Sequence, residues 1–272
     1  KSSLSSGWSG HPAPETLEQG YGDCTDKAVL FATLLRAVDI EAEPVVVRTN
    51  DRGRFDPEYP VLACNHCITE VHLPDGILFL DCTSQNHRYP ALRADNHGVL
   101  ALNFIRGTRK HVPVPPGMTG SGKRQIDSMR LEENGTLTVE TRNTYTGAYE
   151  AGLRAGWKRV PEGIQRDVMQ QYLSGIAPAA QLQDFQLSDP EELDQPFYLE
   201  YSYRLPDYAV KAGNLKLLQL PDRERRFPEA SLETRRYDLT YTTSEAHNRT
   251  TVVQLPEELS VISLPENTRV ES

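Results

Sequence analysis

Gly22-Asp23-Cys24-Thr25-Asp26-Lys27-Ala28 leads straight into an apolar run that ends at Val38. Ala28, Val29, Leu30, Phe31, Ala32, Leu34, Leu35, Ala37 and Val38 give a helix apolar on most sides, the pattern of a helix inside a core. Asp23 has the chemistry of an N-cap, and Asp26, three residues on, completes an approximate capping box. Cys24 then falls in the first helical turn. Unpaired N–H groups and the helix dipole favour a thiolate there. The competing reading is a buried structural cysteine, packed as a small hydrophobe. After the helix, Asp39 stands where glycine is usual, and aspartate tolerates the left-handed conformation better than most residues. Ile40 to Val47 reads as a strand.

Downstream, Cys64 to Leu73 and Ile77 to Cys82 read as two strands joined at Pro74-Asp75-Gly76, a hairpin signal. Ile77-Leu78-Phe79-Leu80 is apolar on both faces, so the charged Asp81 that follows needs a partner. In any antiparallel register whose paired numbers sum to an odd value, His66 and Asp81 share a face. A two-residue Asp75-Gly76 loop gives such a register, with the two residues staggered along the strands.

Composition bounds the rest. The 272 residues carry 29 Lys and Arg against 38 Asp and Glu, a net charge of −9, which argues against a nucleic-acid partner. Hydrophobic residues make up 38%, enough for a sizeable core, and no apolar run reaches the length of a membrane span. The chain starts at Lys1 rather than Met, which reads as an excised or processed piece. Pro113, Pro115, Pro116, Gly117, Gly120 and Gly122 mark a linker, so the expected units are residues 1–115 and 116–272.

In the second unit, Leu131 to Asn143 reads as a hairpin around Asn134-Gly135, and Tyr149 to Ser174 as helix broken at Pro161. Alternation from Phe197 to Leu205 gives a half-buried strand, and further strands are expected at 214–220, 232–243, 249–255 and 259–264. The expected fold class is α+β. A buried helix packs on an antiparallel sheet, and a mainly β, sandwich-like unit with a helical insertion follows.

A cysteine at a helix start, a histidine on one strand and an aspartate after the next make the set that thiol acyl transfer needs. The chain resembles the transglutaminase-like superfamily, with its papain-like core. More narrowly it resembles the bacterial branch that sets this core between two β-domains. The matching residues are Gly22-Asp23-Cys24-Thr25-Asp26-Lys27-Ala28, Leu34-Leu35-Arg36-Ala37, Asn65-His66, Leu80-Asp81 with Thr83, and Leu100-Ala101-Leu102. Asp39-Ile40 replaces the family's usual Gly-Ile, Cys64 replaces a large apolar residue, and the chain begins too close to Cys24 for the family's N-terminal helices and β-domain.

The resemblance implies a Cys24/His66/Asp81 triad, a peptide or protein amide substrate, no cofactor, and a periplasmic or extracellular setting. The resemblance also implies a second oxyanion donor upstream, with Trp8, Gln19 and Tyr21 as candidates. The activity expected is that of a cysteine peptidase, amidase or transglutaminase-like enzyme. The alternative is a non-catalytic assembly module that keeps the fold as a scaffold and contacts a partner protein or envelope polymer.

Cys64 and Cys67 have metal-type spacing with His66 between them, yet strand positions 64 and 67 face opposite ways, against a shared ion. A Cys64–Cys82 disulfide is a further alternative; three buried packing cysteines are the simplest reading. His72 and His87 read as surface or loop residues, and His97 as a loop residue.

Overall fold

The computed structural model describes residues 10–53, 63–221, 233–237, 241 and 244–268. A short helix α1 (Ala13–Gln19) precedes α2 (Cys24–Arg36). The capping box is formed: the Asp23 carboxylate accepts from the N–H groups of Thr25 (2.9 Å) and Asp26 (3.0 Å), and Asp26 Oδ2 accepts from the Asp23 N–H at 2.9 Å. Asp39 has φ 60°, and just beyond it the Ile40 N–H donates back to the Leu35 carbonyl at 3.0 Å. The aspartate thus does what glycine does elsewhere.

The first sheet is antiparallel, built from β1 (Ala42–Val47), β2 (His66–Leu73), β3 (Gly76–Leu80), β4 (Leu100–Asn103) and β5 (Thr108–His111), in the order β3-β2-β1-β4-β5. Side chains alternate across it. Val71 and Ala42 meet Ala32 of α2 on one face; Ile68, Val45, Val47 and Phe79 join Leu92, Val99, Ala101 and Val112 on the other. Leu73 pairs with Gly76, so the tight loop is Pro74-Asp75 rather than Asp75-Gly76. Proline presets the first turn position, and Gly76 accepts a φ of 139° that side chains resist. Paired numbers such as Thr69 and Leu80 still sum to an odd value, so His66 and Asp81 share a face.

The expectation of a helix buried on most sides is corrected. Only Asp26, Ala28 and Ala32 of α2 are buried; Leu34 is 48% exposed, and no described residue covers that side. Its apolar sequence fits an inner helix, but the sheet occupies one face only.

Asp26 ties this region together. Its Oδ1 accepts from the His11 backbone N–H at 2.7 Å and lies 3.0 Å from His11 Nδ1. Burial pushes its carboxyl up, but the hydrogen bonds from His11 and Asp23 outweigh that and hold it below the ordinary aspartate range. A depressed folded-state value stabilises above the ordinary aspartate pKa of about 4 and is lost as pH falls through the lower value. Asp26→Asn should therefore cost roughly 1–3 kcal/mol in urea unfolding at neutral pH. The gap to the parent should narrow in acid.

The second sheet has order β12-β6-β7-β9-β8. Its strands are β6 (Ser121–Leu131), β7 (Leu137–Thr146), β8 (Gln181–Leu187), β9 (Tyr198–Leu205) and β12 (Ala246–Gln254); β12 runs parallel to β6. Gly135, at φ 90°, and Asn134, whose Oδ1 accepts from the Thr136 N–H at 2.9 Å, turn β6 into β7. Helices α3 (Gly147–Trp157) and α4 (Glu162–Ile176) lie between β7 and β8 in sequence, and Trp157, Met169 and Leu173 join Leu137, Val139, Phe197, Tyr203 and Leu205 in one core. Gly147 starts α3 at φ 60°, where a Cβ would lie 1.7 Å from the Gly120 carbonyl oxygen.

The sandwich expected for the second unit is not confirmed. Among the described residues this sheet packs against helices rather than a second sheet. The strand expected at 214–220 shrinks to β11 (Leu215–Leu217), paired only with β10 (Val210–Ala212). Residues 259–264 form no strand, and most of 232–243 lies outside the described residues. Strand β8 went unread because a bulge between Leu182 and Asp184 breaks its alternation.

Candidate functional site

Cys24 is the first residue of α2. The Thr25 and Asp26 N–H groups are used by the Asp23 carboxylate, and the Lys27 N–H by the Asp23 carbonyl. The Cys24 N–H is the one donor of that turn with no partner among the described residues.

His66 opens β2, and Asp81 directly follows β3. His66 Nε2 lies 2.8 Å from Asp81 Oδ2, both side chains being buried, at 8% and 2% exposure. With Nε2 on Asp81, Nδ1 is the ring nitrogen left for the Cys24 thiol, whose pKa the imidazole lowers. The backbone N–H of Cys67 also acts to lower the same thiol. Sequence reading named Cys24, His66 and Asp81, and the fold brings all three together.

The electrostatics follow from these contacts. The hydrogen bond from His66 lowers the Cys24 thiol, outweighing burial, which raises it. Burial pulls the His66 imidazolium down, but the bonds and charges of Asp81 and Cys24 together hold the ring up at about 9. Burial pushes Asp81 up, but His66 and Thr83 hold it well below the carboxylate range. The other three thiols move the opposite way. Burial raises Cys64 and pushes Cys67 up to about 12, and partial desolvation with the neighbouring Asp81 charge raises the exposed Cys82. A thiolate is thus favoured at one cysteine of the four.

All four cysteines are free, so the hairpin carries no disulfide. Only Cys67 is the buried packing residue expected; Cys64 is half-buried and Cys82 exposed. Among the described residues, Cys64, His66 and Cys67 do not converge as a metal ligand set.

Of the oxyanion candidates, Trp8 lies outside the described residues, the Gln19 amide donates to Glu15 at 3.0 Å, and Tyr21 is 57% exposed.

His72 is not the surface residue expected. Its Nε2 lies 3.1 Å from Glu43 Oε2 and 3.0 Å from Glu70 Oε1 on the sheet face opposite α2. Those carboxylates are already held by Arg106, at 2.8 and 3.0 Å on Glu43, and by Lys110, at 2.8 Å on Glu70. The group is an ion-pair network with its carboxylates Glu43 and Glu70 buried and its cations at the surface. His87 is half-buried, with Nδ1 2.5 Å from Ser84 Oγ, and burial lowers its ring to about 4. His97 is 4% exposed and so lines no open cleft.

Sequence reading missed Asn96. Its Nδ2 donates to Asp81 Oδ2 at 2.8 Å from a 3-10 turn, Ala94–Asn96, in a stretch without periodicity.

Residues 2–82 match the transglutaminase-like superfamily. Cys24, His66 and Asp81 all lie in the matched part. No curated protein and no solved structure gives a significant match.

Proposed function

We propose that this chain, carrying a transglutaminase-like superfamily core over residues 2–82, is a thiol acyl-transfer enzyme acting on peptide or protein amides. The observation that carries the reading is the buried His66–Asp81 pair at 2.8 Å, whose imidazole lowers the Cys24 thiol at the start of α2. The thiolate attacks an amide carbonyl carbon, and the C–O π pair moves onto oxygen. The Cys24 N–H, without a partner among the described residues, is placed to donate to that oxyanion. The His66 imidazolium protonates the departing amine as the C–N bond breaks, leaving a thioester. His66 then takes a proton from water, or from an acceptor amine, whose attack on the thioester releases acid or new amide and restores the thiol. Asp81 fixes the ring's tautomer and stabilises its charged form.

Residues 1–115 form the catalytic unit in this reading, and residues 116–272 a separate accessory unit. Hydrolysis is favoured over cross-linking on family resemblance alone.

The test is a thiol-reactive acyl probe on the intact chain, read by mass spectrometry. An acyl adduct on Cys24 that Cys24→Ala abolishes and His66→Ala slows supports the enzyme. No adduct, or one indifferent to His66, overturns it. The second reading, an assembly module, is favoured by the uncovered apolar groups Leu17, Tyr21, Leu34 and Val38, each at least 48% exposed. It predicts that Cys24→Ala leaves the protein's biological role intact.

A further inference from the structure

We infer that Asn96 is a positioning residue for the proposed acyl transfer, fixing the Asp81 carboxylate so that one oxygen is aimed at His66. The inference rests on the acyl-transfer reading.

The Asp81 carboxylate accepts from four donors. Oδ2 takes His66 Nε2 and Asn96 Nδ2, both at 2.8 Å. Oδ1 takes the Thr83 N–H at 2.8 Å and Thr83 Oγ1 at 2.6 Å. Two donors on each oxygen leave the carboxylate no freedom to rotate. Thr83 comes from the turn that follows Asp81, so it holds that group locally; Asn96 reaches it from 15 residues away.

Asn96 is itself placed with care. It is fully buried, at 0% exposure. Its turn is clamped from the end of β1, where the Asn50 amide donates to the carbonyls of Ala94 at 3.0 Å and His97 at 3.1 Å. Arg93 pairs with Asp95 on the same turn. The amide orientation is fixed by chemistry, because a flipped Asn96 would aim its oxygen at a carboxylate.

A donor on Oδ2 stabilises the anion and directs its remaining lone pair. Without it, Thr83 still holds Oδ1 but Oδ2 is left with His66 alone, and its aim at the imidazolium loosens. The thiolate then loses its counter-charge. Other groups that feel Asp81, namely Cys67, Cys82, His87 and Arg93, make no direct bond to it, so none can take the place of Asn96.

The experiment measures iodoacetamide alkylation of the Cys24 peptide by mass spectrometry across pH. The proteins are wild type, Asn96→Ala, Asn96→Leu, Asp81→Ala, His66→Ala and the Asn96→Ala/Asp81→Ala double variant. Asn96→Leu keeps roughly the side-chain volume and removes the donor without adding a charge, so it covers the case in which Asn96→Ala does not fold.

Each Asn96 variant is expected to slow alkylation near neutral pH about tenfold and to move its midpoint upward. In the Asp81→Ala background the Asn96 change should add nothing, because a positioning role vanishes with the group positioned. Two outcomes overturn the inference while leaving the enzyme reading intact. One is wild-type rates for the Asn96 variants while His66→Ala and Asp81→Ala are slow. The other is an equal Asn96 effect with and without Asp81. If His66→Ala and Asp81→Ala also leave Cys24 unchanged, the enzyme reading falls first and this one with it.

Discussion

Iodoacetamide should alkylate Cys24 at pH 7 faster than an ordinary thiol, by at most about thirtyfold, since a thiol of pKa about 8.5 is only about 3% ionised there. Part of that gain is offset, because a thiolate of lower pKa is a weaker nucleophile. The pH profile carries more information than the rate. Cys24 is lowered by His66, and His66 is held up at about 9. Thiolate and imidazolium therefore coexist from the lowered thiol value up to about 9. Alkylation should rise below the ordinary thiol range, run flat, then rise again as His66 loses its proton and frees a stronger nucleophile. Acyl transfer should instead fall on that upper limb, because the leaving amine loses its acid. Cys64, Cys67 and Cys82, all raised, should label only at high pH. His66→Ala should turn the Cys24 profile into a single ordinary thiol curve. A single curve already present in the unsubstituted protein would count decisively against a thiolate–imidazolium pair.

The second large effect lies in the other half of the chain. Arg154→Met should destabilise the protein by about 3–5 kcal/mol in urea unfolding. Arg154 is fully buried. Its guanidinium binds Glu150 Oε1 at 2.8 and 3.0 Å, and it caps the carbonyls of Asp189 (3.2 Å), Pro190 (3.3 Å), Glu192 (2.6 Å) and Gln195 (2.6 Å). That network pins the 189–195 segment to α3. Removing the cation strands a buried carboxylate and four carbonyls together. Arg88, 3.6 Å from Glu150, supplies only a distant replacement charge. Adding Glu150→Gln to Arg154→Met should recover part of the loss, because the stranded charge is then gone. An additive double variant would mean that the carbonyl caps, not the ion pair, hold this region.

What could be read before the structure was local or periodic. Asp23 and Asp26 cap α2 because the cap is closed within four residues. Asp39 takes the left-handed turn because its own side chain allows it. His66 and Asp81 share a face because strand side chains alternate with period two, and that parity survived a shift of the loop to Pro74-Asp75. The odd register could not give the separation of the two, and so could not show that the ring and carboxylate touch.

Chain sequence fixed the capped helix start, the face shared by histidine and aspartate, and the chemistry those residue types can perform. Tertiary packing decided the remainder. Asn96 reaches Asp81 from an aperiodic loop whose turn the distant Asn50 amide holds by two hydrogen bonds. The apolar run of α2 cannot say what lies on its outer side, since burial depends on a neighbour and not on the helix itself. Strand alternation in the second half likewise announced a sheet with one apolar face, but whether helices or another sheet cover that face is set by how the distant segments pack.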